Sequence, residues 1–322
     1  MPHFRAVRLA RLGGPLEDAE LPPLVPGEGE IVLAIRAAGI CHSDLHYRDD
    51  AGRARLPVTL GHEISGVVSA VGSGVTSFAP GDRVALHYLL PDGDMLGKEC
   101  DGGWAEAIVV PAANAVAIPD EVPFEQAAVM MCSTATAWHA LKLSRLEAGE
   151  SVALLGFGGL GVSAVQLARH LGAERVVASD VVESKLRLAE TWGAIAVDAR
   201  REDFAEALAG ADIILDFAGH APTTLAALRA SASGARLVVV GINLRSFEID
   251  AYSDLLAPER SILGSSDHTR EELVELMELA RRREIDLGAA ITRTVPLSAR
   301  AIDEVLDDLA AGTRHLRSVV LP

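Results

Sequence analysis

Cys41, His42, Ser43, Asp44 and His46 fall within six residues, and Gly61-His62-Glu63 follows about 20 residues later. A thiolate and an imidazole are good ligands for zinc. A hydroxyl and a second imidazole beside such an ion could carry a proton to or from whatever the ion binds. Cys41 and His62 make only two ligands. A catalytic zinc takes three from the protein and keeps a fourth position open.

A second chemical signal is Gly156-x-Gly158-Gly159-x-Gly161, with Leu160 inside it. It follows the short apolar run Ser151–Leu155 and opens a helical pattern in which Leu160, Ala164, Leu167, Ala168 and Leu171 share a face before Gly172. Glycines there let the chain turn tightly and approach a pyrophosphate, and the helix start offers free N–H groups to it. Asp180 ends the next predicted strand, 19 residues beyond Gly161, close to the roughly 20 expected of an acid that binds the adenosine ribose. A carboxylate there repels a 2′-phosphate, which predicts NAD rather than NADP. The plainer readings are a glycine turn without a ligand and a surface helix cap at Asp180.

Short strands are predicted at 4–9, 30–38, 64–71, 83–86 and 105–110, with turns between them and a polar loop from His87 to Gly103. Many short strands with frequent turns suggest a compact β-barrel-like domain. From Pro123 the texture changes. One helical stretch, Phe124–Leu143, precedes strands at 151–155, 175–179, 213–217 and 236–240 with a helix at 183–192, a pattern that makes a parallel sheet. Helices near 270–283 and 301–311 and a strand at 318–321 close the chain. Against this frame, Cys132 is a better third ligand than Cys100, which lies in the polar loop. At the edge of the sheet domain Cys132 turns the metal toward the cofactor, although a buried cysteine among alanines is more often packing.

The chain has 322 residues and a formal net charge of −16, so nucleic acid and anionic membrane surfaces are poor partners. No apolar run has the length of a membrane span, and the residues from Met1 to Arg5 lack the apolar core of a signal peptide. Three widely spaced cysteines make no disulfide framework and suit a reducing cytoplasm.

Six motifs occur in order: Cys-His-Ser-Asp-Leu-His (41–46), Gly-His-Glu (61–63), Phe-x-x-Gly-Asp-Arg-Val (78–84), Gly-Gly-x-Ala-Glu (102–106), the group Cys132, Thr136 and Trp138, and the glycine turn. Together they resemble the zinc-dependent alcohol dehydrogenases of the medium-chain dehydrogenase/reductase family across essentially the whole chain. The resemblance implies an α/β fold, a Rossmann doubly wound parallel sheet domain plus a GroES-like β-barrel catalytic domain. The catalytic domain would cover 1–132 and 268–322, around an NAD-binding domain at 133–267. Cys41, His62 and Cys132 would hold the catalytic zinc, a ligand set known for these enzymes, with Glu63 an occasional ligand or electrostatic tuner and Asp44 orienting His62. Ser43 would take the alcohol proton and pass it by way of the cofactor ribose to His46. His42, Thr136, Lys185, Gly241, Ile242 and Arg317 would join the glycine turn and Asp180 in binding NAD, with Arg317 on the pyrophosphate. The bland alternatives are a turn acid at Asp44, a surface histidine at His46 and a solvated arginine at Arg317. Tyr88 falls on a segment that lines the substrate pocket.

Many relatives bind a structural zinc through four closely spaced cysteines in the loop after Gly-Asp-Arg-Val, and here that loop holds only Cys100. One zinc per subunit is therefore expected. The implied activity is interconversion of an alcohol with its aldehyde or ketone, by a homo-oligomer (dimer or tetramer) with a small-molecule substrate. The rivals are a zinc-independent quinone or enoyl reductase of the same superfamily and a non-catalytic NAD-binding protein.

Overall fold

The computed structural model of the chain describes residues 3–49, 54–242, 246–312 and 315–322; Met1 and Pro2 of the N-terminal segment lie outside the described residues. The chain divides into two compact units, Met1–Cys132 with Arg270–Pro322, and Ser133–Thr269.

The first unit is built on a mixed seven-stranded sheet in the order Ile291–Pro296, Arg317–Leu321, Glu30–Ile40, Glu63–Val71, Arg83–Leu86 and Ala115–Ala117, with Ala107–Pro111 also pairing with Glu30–Ile40. The long strand Glu30–Ile40 is the hub. Its residues 37–40 are buried, where Ala37, Ala38, Gly39 and Ile40 let neighbouring segments approach closely. A three-stranded sheet of Leu16–Leu21, Phe4–Leu9 and Val58–Thr59 packs into the same core. Leu16–Leu21 reads Leu-Glu-Asp-Ala-Glu-Leu and Val58–Thr59 is two residues long, so neither carries an apolar alternation that predicts a strand.

The second unit holds six parallel strands in the order Ile195–Asp198, Arg175–Asp180, Ser151–Leu155, Ile213–Asp216, Arg236–Val239 and Ser261–Gly264. Ser151–Leu155 comes first in sequence and lies inside the sheet. Strand order therefore reverses beside it, the position at which open α/β sheets bind ligands. The outermost strands, Ile195–Asp198 and Ser261–Gly264, and the helix Ala221–Ala230 were not among the predicted elements.

Two local differences from the predicted elements matter for the site. His42–Arg48, to which no element was assigned from sequence, forms a helix capped at Cys41, so the chemically dense run is a helix start. The stretch from Phe124 is not one continuous helix. It runs α-helical to Val129, widens into a π turn over Met130–Thr134, and resumes as Ala135–Ser144. An Ala-rich run gives no sequence sign of that widening, and such turns gather at functional positions. Cys132 sits within it.

Candidate functional site

Asp44 is the organising residue of the first unit's site. Three residues into its helix, its Oδ2 accepts the Cys41 N–H at 2.8 Å, closing the helix start on the cysteine. Its Oδ1 lies 3.0 Å from Nδ1 of His62, and both side chains are buried. A carboxylate only accepts, so Nδ1 carries a proton, and Nε2 is the nitrogen that offers a lone pair when the ring is neutral. Burial is the largest single influence on His62 and would discharge it, but the Asp44 charge and hydrogen bond, with Cys41 adding to them, together hold the imidazole well above its ordinary pKa.

Four ligand atoms, from Cys41, His62, Glu63 and Cys132, lie within 4.8 Å of one another. The two sulfurs are 3.9 Å apart. The hydrogen bond from Cys132 draws the Cys41 thiol pKa well down, against burial, and His62 adds to the fall. The same contact, with burial, pushes the Cys132 thiol up. Ser43 Oγ donates to Cys41 Sγ at 3.2 Å and stands 3.5 Å from His62 Nε2, so the hydroxyl sits where the donor atoms converge. On the same helix His46 is half-buried and its ring centroid is 5.3 Å from that of the exposed His42.

Glu63 is fully buried and pairs through Oε2 with Arg317, while Oε1 is buried without a hydrogen-bond partner. Burial lifts the Glu63 carboxyl to about 7 even though Arg317 pulls it down. The guanidinium itself is held protonated by Glu63 against its own burial. Arg317 is 5% exposed, which excludes the solvated surface arginine. Register explains the contact: Ser318 pairs with Ile40 and Gly39 with Glu63, so only Gly39 separates the two charges. An added Cβ at Gly39 would run into the Glu63 carboxylate. The sequence reading set Glu63 beside the metal and Arg317 on the pyrophosphate, and missed their pairing. It also missed Tyr47, whose ring lies 6.1 Å from that of His62; Tyr88, 3% exposed, lies 5.3 Å from it on an edge contact. Cys100 is outside the cluster, its sulfur 3.8 Å from Asp94 Oδ2.

Two thiols, a tautomer-locked imidazole and a carboxylate oxygen with no hydrogen-bond partner suit a divalent zinc-like ion. Two thiolates offset its charge, and the buried wall keeps bulk water off the ligands.

In the second unit the helix Gly159–His170 starts from Gly158. Gly156 N–H donates to Ser179 O and Phe157 N–H to Asp180 Oδ2, both at 2.9 Å. Asp180 Oδ1 accepts from Val181 and Val182 N–H, and Lys185 Nζ stands 4.0 Å from Oδ2. Leu160 is half-buried and Gly161 packs against the Gly156 carbonyl. A Cβ added at Gly158 would meet nothing within 4 Å, which leaves the open space that a pyrophosphate needs beside the helix start. Thr136 is half-buried on Ala135–Ser144; Gly241 N–H donates to Asp216 O at 2.8 Å, and Ile242 is exposed.

Two family descriptions match the chain: "Alcohol dehydrogenase GroES-like domain" over residues 27–120 and "Zinc-binding dehydrogenase" over residues 159–282. An alcohol dehydrogenase of Geobacillus stearothermophilus is 32% identical, across 98% of this chain and 99% of that one. An NAD-dependent alcohol dehydrogenase of Sulfolobus acidocaldarius is 30% identical, again across 98% and 99%. Among solved structures, a putative zinc-binding dehydrogenase from Sinorhizobium meliloti bound to NADP superposes with a TM-score of 0.91 at 31% identity, covering all of both chains. No helix among the described residues is long and apolar enough to cross a membrane.

Proposed function

The chain belongs to the zinc-dependent alcohol dehydrogenases of the medium-chain dehydrogenase/reductase family, with a GroES-like domain and a Rossmann domain, and from that premise we propose that it interconverts a small alcohol with its aldehyde or ketone using NAD. The observation that carries the proposal is the buried convergence of Cys41, His62, Cys132 and Glu63, with His62 Nδ1 tied to Asp44.

Cys41, His62 and Cys132 would hold one zinc per subunit, with Glu63 beside it. When bound, zinc supplies a Lewis acid that acidifies an alcohol or polarises a carbonyl, and the nicotinamide accepts or returns the hydride. Asp44 keeps the proton on His62 Nδ1 and so keeps Nε2 a ligand. Ser43 Oγ, beside Cys41 Sγ and His62 Nε2, takes the substrate proton. His46 lies three residues further along the same helix, near the ordinary reach of an i, i+3 pair, and is half-exposed. Its imidazole would hand that proton on to water. Arg317 pairs with Glu63 and draws its carboxyl down against the lift from burial.

The preference for NAD rests on the Asp180 carboxylate. Asp180→Ala should narrow the ratio of catalytic efficiencies with NAD and NADP, and an unchanged ratio removes that role. The overall reading is tested by NAD⁺-linked absorbance on primary, secondary, aromatic and polyol alcohols, with protein of measured zinc content. Turnover that scales with bound zinc is expected. Turnover in fully zinc-free protein defeats the proposal. Light scattering on the same sample tests the proposed homo-oligomer.

A further inference from the structure

Three strands of the parallel sheet end on an aspartate: Ile195–Asp198 and its neighbour Arg175–Asp180, and Ile213–Asp216 on the other side of Ser151–Leu155. Each carboxylate caps the turn that follows its own strand. Asp198 Oδ1 accepts Arg200 N–H at 2.9 Å, and Asp216 Oδ1 accepts Ala218 and Gly219 N–H at 3.1 and 2.9 Å. Asp180 Oδ1 accepts Val181 and Val182 N–H at 2.8 and 2.9 Å. A strand-ending aspartate is therefore accounted for here by turn capping alone.

Asp180 does one thing more. Its Oδ2 reaches the neighbouring strand's turn and accepts Phe157 N–H at 2.9 Å. Gly156 N–H, one residue earlier, goes to the Ser179 carbonyl. Two successive amides of the glycine turn are thus tied to the end of Arg175–Asp180, and only the second tie depends on a side chain. The Phe157 side chain is fully buried, so the amide between it and Gly156 is held on both sides. An ionised carboxylate has about four acceptor positions. Three are filled by N–H groups, which leaves room for one ribose hydroxyl rather than two.

We propose that Asp180 is a positioning residue for the phosphate-binding turn: by holding Phe157 N–H it sets Gly156–Gly158 in the shape that receives a pyrophosphate, in addition to any contact with ribose. This rests on the reading that the second unit binds a nicotinamide dinucleotide.

The test compares full-length wild type, Asp180→Ala and Asp180→Ser. Serine retains a short acceptor for its own turn and loses the reach to Phe157, so it serves where alanine does not fold. Calorimetry measures binding of ADP and of 2′,3′-dideoxy-ADP, which has no ribose hydroxyls to offer. Amide hydrogen exchange at Phe157 is followed in the nucleotide-free protein. Both variants should bind dideoxy-ADP about ten-fold or more weakly than wild type does, the effect of one charge-assisted hydrogen bond. The Phe157 amide should exchange faster by a similar factor. Dideoxy-ADP affinity equal to wild type, or unchanged exchange at Phe157, overturns the proposal. If wild type binds neither nucleotide, the dinucleotide reading fails, and exchange at Phe157 still decides whether Asp180 holds the turn.

Discussion

Around Cys41 the functional atoms are side chains drawn from residues 41–44, 62–63, 132 and 317; around Gly156 they are the backbone N–H groups of one continuous strand, turn and helix. The first arrangement buries charge. Asp44, His62, Glu63 and Arg317 are all at most 5% exposed, and each is answered by another. The second has Asp180 as its charged anchor, with Lys185 beside it, and otherwise depends on where chain can pass. A site of interlocked side chains should fail at single atoms. A site of backbone amides should ignore most side-chain changes and fail where a Cβ intrudes or an anchor is lost.

The largest contrast is expected at Cys41. Cys41→Ala removes a thiolate from the cluster and should abolish tight zinc binding and turnover together while ADP binding, measured by calorimetry, stays at the wild-type level. Normal activity in that variant without metal would break the comparison at its root.

Next comes Arg317→Leu. It leaves Glu63 buried without its cation, and breaking a buried pair costs about 3–5 kcal/mol. Urea unfolding of zinc-free protein should show that loss, and adding Glu63→Gln should recover most of it. A loss under about 1 kcal/mol would mean that the pair behaves like one on the surface. Asp44→Asn should be milder. The amide has one oxygen where the carboxylate offers two, so Cys41 N–H and His62 Nδ1–H cannot both be served. Zinc affinity should fall about 10–100-fold in a chelator competition.

These two sites differ as much in how they show in sequence. Cys41–His46, Gly61–Glu63 and Gly156–Gly161 stand out because each is contiguous, and contiguity is what a motif records. The central strands of both sheets were legible for a similar reason: runs such as Val-Ala-Leu-Leu carry their burial with them. The Arg317–Glu63 pair was not legible, because it depends on the register of three strands and on Gly39 between the two charges. The π turn at Met130–Thr134 was hidden inside an Ala-rich run that satisfies a helical pattern throughout. Leu16–Leu21, with three acids in six residues, owes its strand to the pairing with Phe4–Leu9 rather than to its own pattern.

Within the glycine turn the comparison sharpens to a pair of substitutions. An added Cβ at Gly161 lies 2.7 Å from the Gly156 carbonyl, backbone against backbone, so Gly161→Ala must shift the turn at a cost of about 1–3 kcal/mol. At Gly158 nothing lies within 4 Å, so Gly158→Ala should change stability by less than about 1 kcal/mol. It should nevertheless weaken ADP about ten-fold or more, because the methyl stands where the chain must approach the pyrophosphate. Wild-type ADP affinity in Gly158→Ala would show that the phosphates do not pass there.

The smallest effect supplies the control for burial. Arg5 and Glu106 make the same kind of pair as Arg317 and Glu63 but in the open, with Arg5 N–H and Nε on the two carboxylate oxygens at 2.7 and 2.8 Å. The backbone N–H of Arg5, then its guanidinium, hold the Glu106 carboxyl below its ordinary pKa against slight burial. A depressed carboxylate means that the unfolded chain binds more protons between the two pKa values. The stabilisation is therefore present above the ordinary carboxylate range and is lost as pH falls through the folded value. At 59% and 36% side-chain exposure, solvent screening keeps it below about 1 kcal/mol. Glu106→Gln should lower urea stability slightly at pH 7, by less in 1 M salt, and by progressively less as pH falls below the ordinary carboxylate range. A deficit at pH 7 as large as that of Arg317→Leu would mean that burial is not what separates the two pairs.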